Sequence, residues 1–161
     1  MIRFEIRAVD ERGRDVIRAI LKAHWGSTWI VGRGRLYDGE SLPGLAAVDC
    51  ENIIGLITYN IENESREIVS LNGLRERKGI GTALIDAVKA DAKKSHCRQL
   101  RFFTTNDNVP AMEFYKRRGF TISTVQRGAI AESRKLKPGI ALHGVNDVPI
   151  TDEVEMEMRL K

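Results

Sequence analysis

Apolar and polar residues alternate at the start of the chain. Phe4, Ile6 and Ala8 are set against Glu5 and Arg7, which predicts a first strand. The period then changes. Val16, Ile17, Ile20 and Leu21 recur at helical spacing, so a helix capped by Asp10 is expected to run to about His24. Residues 25–43 break the pattern, mixing Trp25, Trp29 and Tyr37 with Gly26, Gly32, Gly34 and Gly39. They predict a short helix near Ser27–Val31 followed by a loop, whose aromatics either line a pocket or anchor it to the core. Leu45–Cys50 and Ile53–Ile61 are apolar runs joined at Glu51-Asn52, a hairpin signal. A second turn at Glu62–Ser65 leads to a strand at Arg66–Leu71, with Glu67, Val69 and Leu71 on one face and Ile68 and Ser70 on the other.

Helical spacing returns from Ile80 to about Lys94, where Ile80, Leu84, Ala87 and Val88 share a face. Gln99–Thr105 reads as a strand with Phe102 and Phe103 on opposite faces. A strand, helix, strand unit of this kind is expected to be parallel and right-handed. Phe120–Val125 is another strand, and Val154, Met156, Met158 and Leu160 alternate with Glu155, Glu157 and Arg159 to give a last one. Between those two lies Gly128–Asp152, which shows no periodicity and is expected to be a long structureless connection.

Composition narrows the class without naming a function. The 161 residues predict one domain, spanning 1–161, and 42% hydrophobic with 30% charged residues is an ordinary globular balance. A net charge of +4 suits an anionic ligand and equally a solvated basic surface; it is too small to argue for nucleic acid. Cys50 and Cys97 are far apart and lie in apolar surroundings, so both read as buried thiols in a reducing compartment. His24, His96 and His143 have no metal spacing. The first residues lack the uninterrupted apolar core of a signal peptide, and no apolar run approaches the ~20 residues of a membrane helix. The expected location is cytoplasmic, with no membrane or nucleic-acid partner.

Two stretches carry chemistry. The first is Arg75-Glu76-Arg77-Lys78-Gly79-Ile80-Gly81-Thr82, a basic double-glycine turn that opens a helix. Unpaired N–H groups, the helix dipole and nearby cations favour a bound phosphate or pyrophosphate. The dinucleotide fingerprint requires a third glycine where Leu84 stands, and the triphosphate-binding lysine loop is absent. The turn resembles the coenzyme A loop of the GCN5-related N-acetyltransferases, Gln/Arg-x-x-Gly-x-Gly/Ala, with Glu76 departing from the pattern at its first position.

The second stretch runs from Asn108 to Phe120. Asn108 can cap a helix, Pro110 suits its first turn, Gly119 can end it, and Ala111, Phe114, Tyr115 and Arg118 share one side. Asn-x-x-Ala-x-x-Phe-Tyr-x-x-x-Gly-Phe resembles the second coenzyme A motif of the same family, in the family's order. The resemblance covers Arg66 to about Val125.

The resemblance implies an α+β fold: a mixed α/β three-layer arrangement with a twisted mixed sheet of about seven strands and helices on both faces. It implies acetyl transfer from acetyl-CoA to a primary amine, small-molecule or peptide, by direct attack and without a metal. Coenzyme contacts would come from Leu71, Gly73, Arg77, Lys78, Gly79, Ile80, Gly81, Thr82, Asn108, Ala111, Phe114 and Tyr115. Tyr115 matches the family's usual acid. Glu67 lies where some relatives carry a proton-accepting carboxylate, although an exposed edge carboxylate explains it too. Backbone N–H groups near Leu71–Gly73 would stabilise the oxyanion, because this strand is expected to part from Gln99–Thr105. The Gly128–Asp152 connection could cover the acceptor, join two subunits of a homodimer, or be a surface excursion. A non-catalytic acyl-CoA sensor of the same fold is the alternative reading, and a nucleic-acid binder using the Arg127–Lys137 region a more distant one.

Overall fold

The computed structural model describes residues 4–73 and 79–160. The elements run β1 (Glu5–Ala8), α1 (Arg14–Trp25), β2 (Trp29–Gly32), β3 (Arg35–Asp38), β4 (Gly44–Asp49), β5 (Asn52–Glu62) and β6 (Ser65–Gly73), then α2 (Ile80–Lys94), β7 (Gln99–Thr105), α3 (Val109–Lys116), β8 (Thr121–Gln126), α4 (Ala129–Leu136) and β9 (Glu153–Arg159). Seven strands make one sheet in the order β1-β4-β5-β6-β7-β9-β8, and β2 and β3 form a separate hairpin. β6 and β7 are parallel and every other neighbouring pair is antiparallel. The expected mixed sheet of about seven strands is therefore present, as is the β4-β5-β6 meander.

Two apolar clusters explain why the sheet carries helices on both faces. On one face Leu84, Val88 and Ile85 of α2 meet Ile68, Leu100 and Met156, together with Tyr115 and Phe120. On the other, Ile17, Ile20 and Leu21 of α1 meet Leu56, Val69, Ile30 and Tyr37. Each such aliphatic side chain, fully buried, contributes about 1.5–3 kcal/mol. Asp10 caps a short 3₁₀ turn, its carboxylate accepting from Gly13 N at 3.2 Å, and that turn leads into α1.

Four expectations change. Ser27–Val31 is not helical: Trp29–Gly32 pairs with Arg35–Asp38 across Arg33-Gly34, both at positive φ. Four-residue strands broken by glycine are too short to show a clear period. Tyr37 anchors this hairpin in the core, while Trp29 stays about half exposed. The 128–152 connection is not structureless either, since it contains α4 and a 3₁₀ turn at Val145–Asp147. Cys97 is buried but Cys50 is exposed, because Cys50 and Glu51 are the central, positive-φ residues of the β4–β5 turn. Finally, β6 does not alternate cleanly. Thr58 pairs with Ser70 but Tyr59 with Ile68, leaving Val69 as an extra residue. That bulge shifts the phase, so Val69 joins the α1-side cluster while Leu71 packs against the α2-side one.

Candidate active site

The β6–β7 ladder covers four pairs, from Ser65–Gln99 to Ile68–Phe102. β6 then continues to Gly73 and β7 to Thr105 without further pairing between them. The bulge at Val69 sits where they part. The expected seam is thus real, with Leu71 half-buried and Gly73 exposed on its β6 side.

The helix α2 begins beside this seam. Gly79 has φ 73°, a left-handed conformation natural to glycine, and no side-chain cap closes the helix among the described residues. The first-turn N–H groups are left for another acceptor. Gly81 serves a different need: a Cβ there would stand 3.1 Å from the Phe114 ring of α3. Ile80 is buried in the core, so only its backbone is available to a ligand. Arg77 and Lys78 lie outside the described residues. Thr82 accepts from Arg118 Nε at 3.0 Å, and the Arg118 guanidinium lies 3.4 Å from the centre of the Phe114 ring. Burial and then the neighbouring Arg117 lower the pKa of Arg118. A cation therefore stands against the first turn of α2.

The second motif docks from α3. Asn108 Oδ1 accepts from Ala111 N at 3.3 Å, as a cap should, with Pro110 in the first turn. Tyr115 is wedged among aromatic rings. It stacks on Phe102 with centroids 3.8 Å apart and meets Phe114 and Phe120 edge-on. Phe102 is the last residue of β7 paired with β6, so Tyr115 sits where the seam opens. Its hydroxyl is buried and has no hydrogen-bond partner among the described residues. Burial raises its pKa, keeping the phenol protonated.

Across the sheet lies a network of carboxylates. Glu67 is not an exposed edge residue: it is 2% exposed, with Oε2 bonded to Arg33 Nη1 and Oε1 to Tyr37 Oη, each at 2.5 Å. Arg33 also reaches Glu155 through Nε at 3.0 Å. Glu153 is 3% exposed, and its two oxygens share one donor, the backbone N–H of Arg33, at 3.0 and 3.1 Å. Burial raises the Glu153 pKa above the ordinary carboxylate value, against the pull of the Arg33 N–H. Between this network and the seam is a cavity of about 260 Å³ that reaches from Phe102 and Asn108 to Glu153. Ile130, Ser133, Lys137, Ile140 and Ile150 of the 128–152 connection line part of it.

A family model described as the acetyltransferase (GNAT) family matches residues 14–120, which spans both coenzyme-type motifs, the seam and Tyr115. The chain belongs to that family. This acetyltransferase is 36% identical over 149 residues to the Bacillus subtilis (strain 168) uncharacterized protein YxbD, covering 92% of this chain and 94% of that one. Its fold is similar to that of an IAA acetyltransferase from Bacillus cereus ATCC 14579, with TM-score 0.73, 16% identity and coverage of 98% and 100% of the two chains. It is also similar to a GNAT family acetyltransferase from Elizabethkingia anophelis with acetyl-CoA bound, with TM-score 0.70, 18% identity and 98% of each chain covered. Among the described residues no group of His, Cys, Asp and Glu could hold a metal, and no helix is long and apolar enough to cross a membrane.

The structure of this acetyltransferase brings Leu71, Gly73, Gly79, Gly81, Thr82, Asn108, Phe114 and Tyr115 around the seam and the start of α2. It sets Glu67 on the opposite face, tied to the hairpin. Sequence reasoning missed Arg33, Tyr37, Glu153 and Glu155 as a connected set. One signal existed: glutamates at alternating positions of β9 face the same side as Glu67, because their neighbours Val154 and Met156 are core.

Proposed function

We propose that this acetyltransferase moves the acetyl group of acetyl coenzyme A to a primary amine by direct attack. The observation that carries the reading is the seam: β6 and β7 part beside a glycine-started helix and a protonated tyrosine that has no hydrogen-bond partner among the described residues. Acetyl coenzyme A supplies the acyl group as a thioester. The first turn of α2, uncapped by any side chain among the described residues, with Gly79, Gly81 and Thr82 and the Arg118 charge beside it, suits the pyrophosphate. Arg77 and Lys78 add charge in sequence. Asn108, Ala111 and Phe114 suit the pantetheine arm. The backbone of β6 near Leu71–Gly73 offers N–H donors to the carbonyl oxygen as it gains negative charge. Tyr115 donates its proton to the departing sulfur. Glu67, with both oxygens engaged by Arg33 and Tyr37, fits a positioning role better than proton acceptance.

The coenzyme reading is tested by placing negative charge at the turn. Gly81→Asp and Thr82→Glu are each expected to lose acetyl coenzyme A binding, read by calorimetry, while the circular dichroism spectrum is kept. Thr82→Glu avoids the contact with Phe114. Parental affinity in both folded variants would put the coenzyme elsewhere.

A further inference from the structure

We infer that the cavity between the seam and the 129–150 segment is the acceptor site, shaped for a compact primary monoamine on an apolar body, whose ammonium meets Glu153. The inference rests on the acetyltransferase reading above and names the acceptor that reading leaves open.

The cavity has two ends with different chemistry. One end is Phe102 and Asn108, on the coenzyme side of the seam. The other is Glu153, reached past Val31, Phe103, Ile140 and Ile150. The walls between are mainly apolar, with Thr104, Thr105, Ser133 and Lys137 among them, and at about 260 Å³ the space falls below the ~300–1,000 Å³ of common ligand pockets. A short amine with an aryl or branched alkyl body matches this space, its apolar part against the apolar lining.

Glu153 is the anion such an amine requires. Among the described residues it forms no ion pair: the Arg33 guanidinium is shared by Glu62, Glu67 and Glu155, and Glu153 receives only the Arg33 backbone N–H. A desolvated carboxylate with one shared donor has lone pairs left over. An arriving ammonium supplies the missing counter-charge and offsets the desolvation. Lys137 discriminates against further charge. It lines the same cavity with its Nζ on the Trp29 carbonyl at 2.9 Å, so a second ammonium on the substrate meets a like charge among apolar walls. Polyamines and aminoglycosides are thereby disfavoured.

The probes are 2-phenylethylamine and spermidine, each assayed with acetyl coenzyme A by thiol release, and each titrated calorimetrically into the protein held with coenzyme A. Phenylethylamine is expected to be acetylated with the higher kcat/KM. Glu153→Gln should raise its KM roughly 10- to 100-fold, the loss of one charge-assisted contact, with acetyl coenzyme A affinity unchanged. Ile140→Trp, on a half-exposed part of the connection, fills the cavity and should weaken phenylethylamine binding without lowering the melting temperature. A preference for spermidine, or a parental KM in folded Glu153→Gln, overturns the inference while leaving the enzyme reading intact. Failure of the parent to bind acetyl coenzyme A overturns the proposed function, and this inference with it.

Discussion

Tyr115 and Glu153 are both polar groups held away from water, and they differ in what removal should do. The Tyr115 hydroxyl has no partner among the described residues, so Tyr115→Phe deletes no hydrogen bond and keeps the ring stack on Phe102. Its melting temperature should stay at or slightly above the parent's. Turnover should fall roughly 10²–10⁴-fold, the usual loss with one positioned proton donor. Single-turnover rates decide the matter, and an unchanged rate there rules Tyr115 out as the acid. Glu153 has a folded-state pKa raised mainly by burial. A raised carboxyl favours the folded state at low pH, and that contribution is lost as pH rises through the shifted value. Glu153→Gln should therefore melt above the parent at neutral pH, by about 0.5–2 kcal/mol, since one amide oxygen can still accept from Arg33 N. The gap should close below the ordinary glutamate value of 4.5. Melting curves of both proteins across pH check this. The helix that carries Tyr115, with its Asn108 cap, was legible in the sequence because its signals are local. Glu153 was not, because its environment is made by Arg33, 120 residues away in the chain.

Among the elements, the β2–β3 hairpin does more than its length suggests. Its turn residue Arg33 bonds Glu67, Glu155 and, through the backbone, Glu153. Replacing Arg33 with Met keeps the aliphatic stem but leaves two buried or half-buried carboxylates without a cation. The expected loss is about 3–5 kcal/mol, read by denaturant unfolding. Elements with long runs of one period were readable: α1, α2, β5, β7 and β9 all lie close to where patterning put them. The hairpin was not, because Gly32 and Gly34 interrupt it and its strands are four residues each. Nor was α4, although Ala129–Leu136 is rich in helix formers; its setting among glycines, prolines and charges hid an eight-residue helix. The bulge at Val69 has no sequence signature of its own, which is why Leu71 was assigned to the wrong face.

At the scale of the whole molecule, the 128–152 connection is fastened to the end of β7. The Asn106 side chain accepts from the backbone N–H groups of Thr151 and Asp152 and donates to the Pro149 carbonyl, all at 3.0 Å. Asp107 accepts from Val145 N at 3.0 Å. Asn106→Ala cuts three of these ties and leaves the coenzyme side untouched. The amine KM should rise several-fold with acetyl coenzyme A affinity unchanged, which steady-state kinetics and calorimetry measure together. Loss of coenzyme binding in the folded variant would count against the connection as an acceptor wall.

The strand order β7-β9-β8 has a consequence for synthesis. β9 follows the other eight described strands in the chain, yet it lies between two of them. Until residues 153–159 emerge from the ribosome, β8 has no neighbour and β7 shows a bare edge, with Met156 and Val154 missing from the apolar cluster they complete. The nascent chain therefore passes through an interval in which two strand edges and part of the core are open to other chains. Completing the sheet requires seven residues to slot between two strands that precede them in the chain.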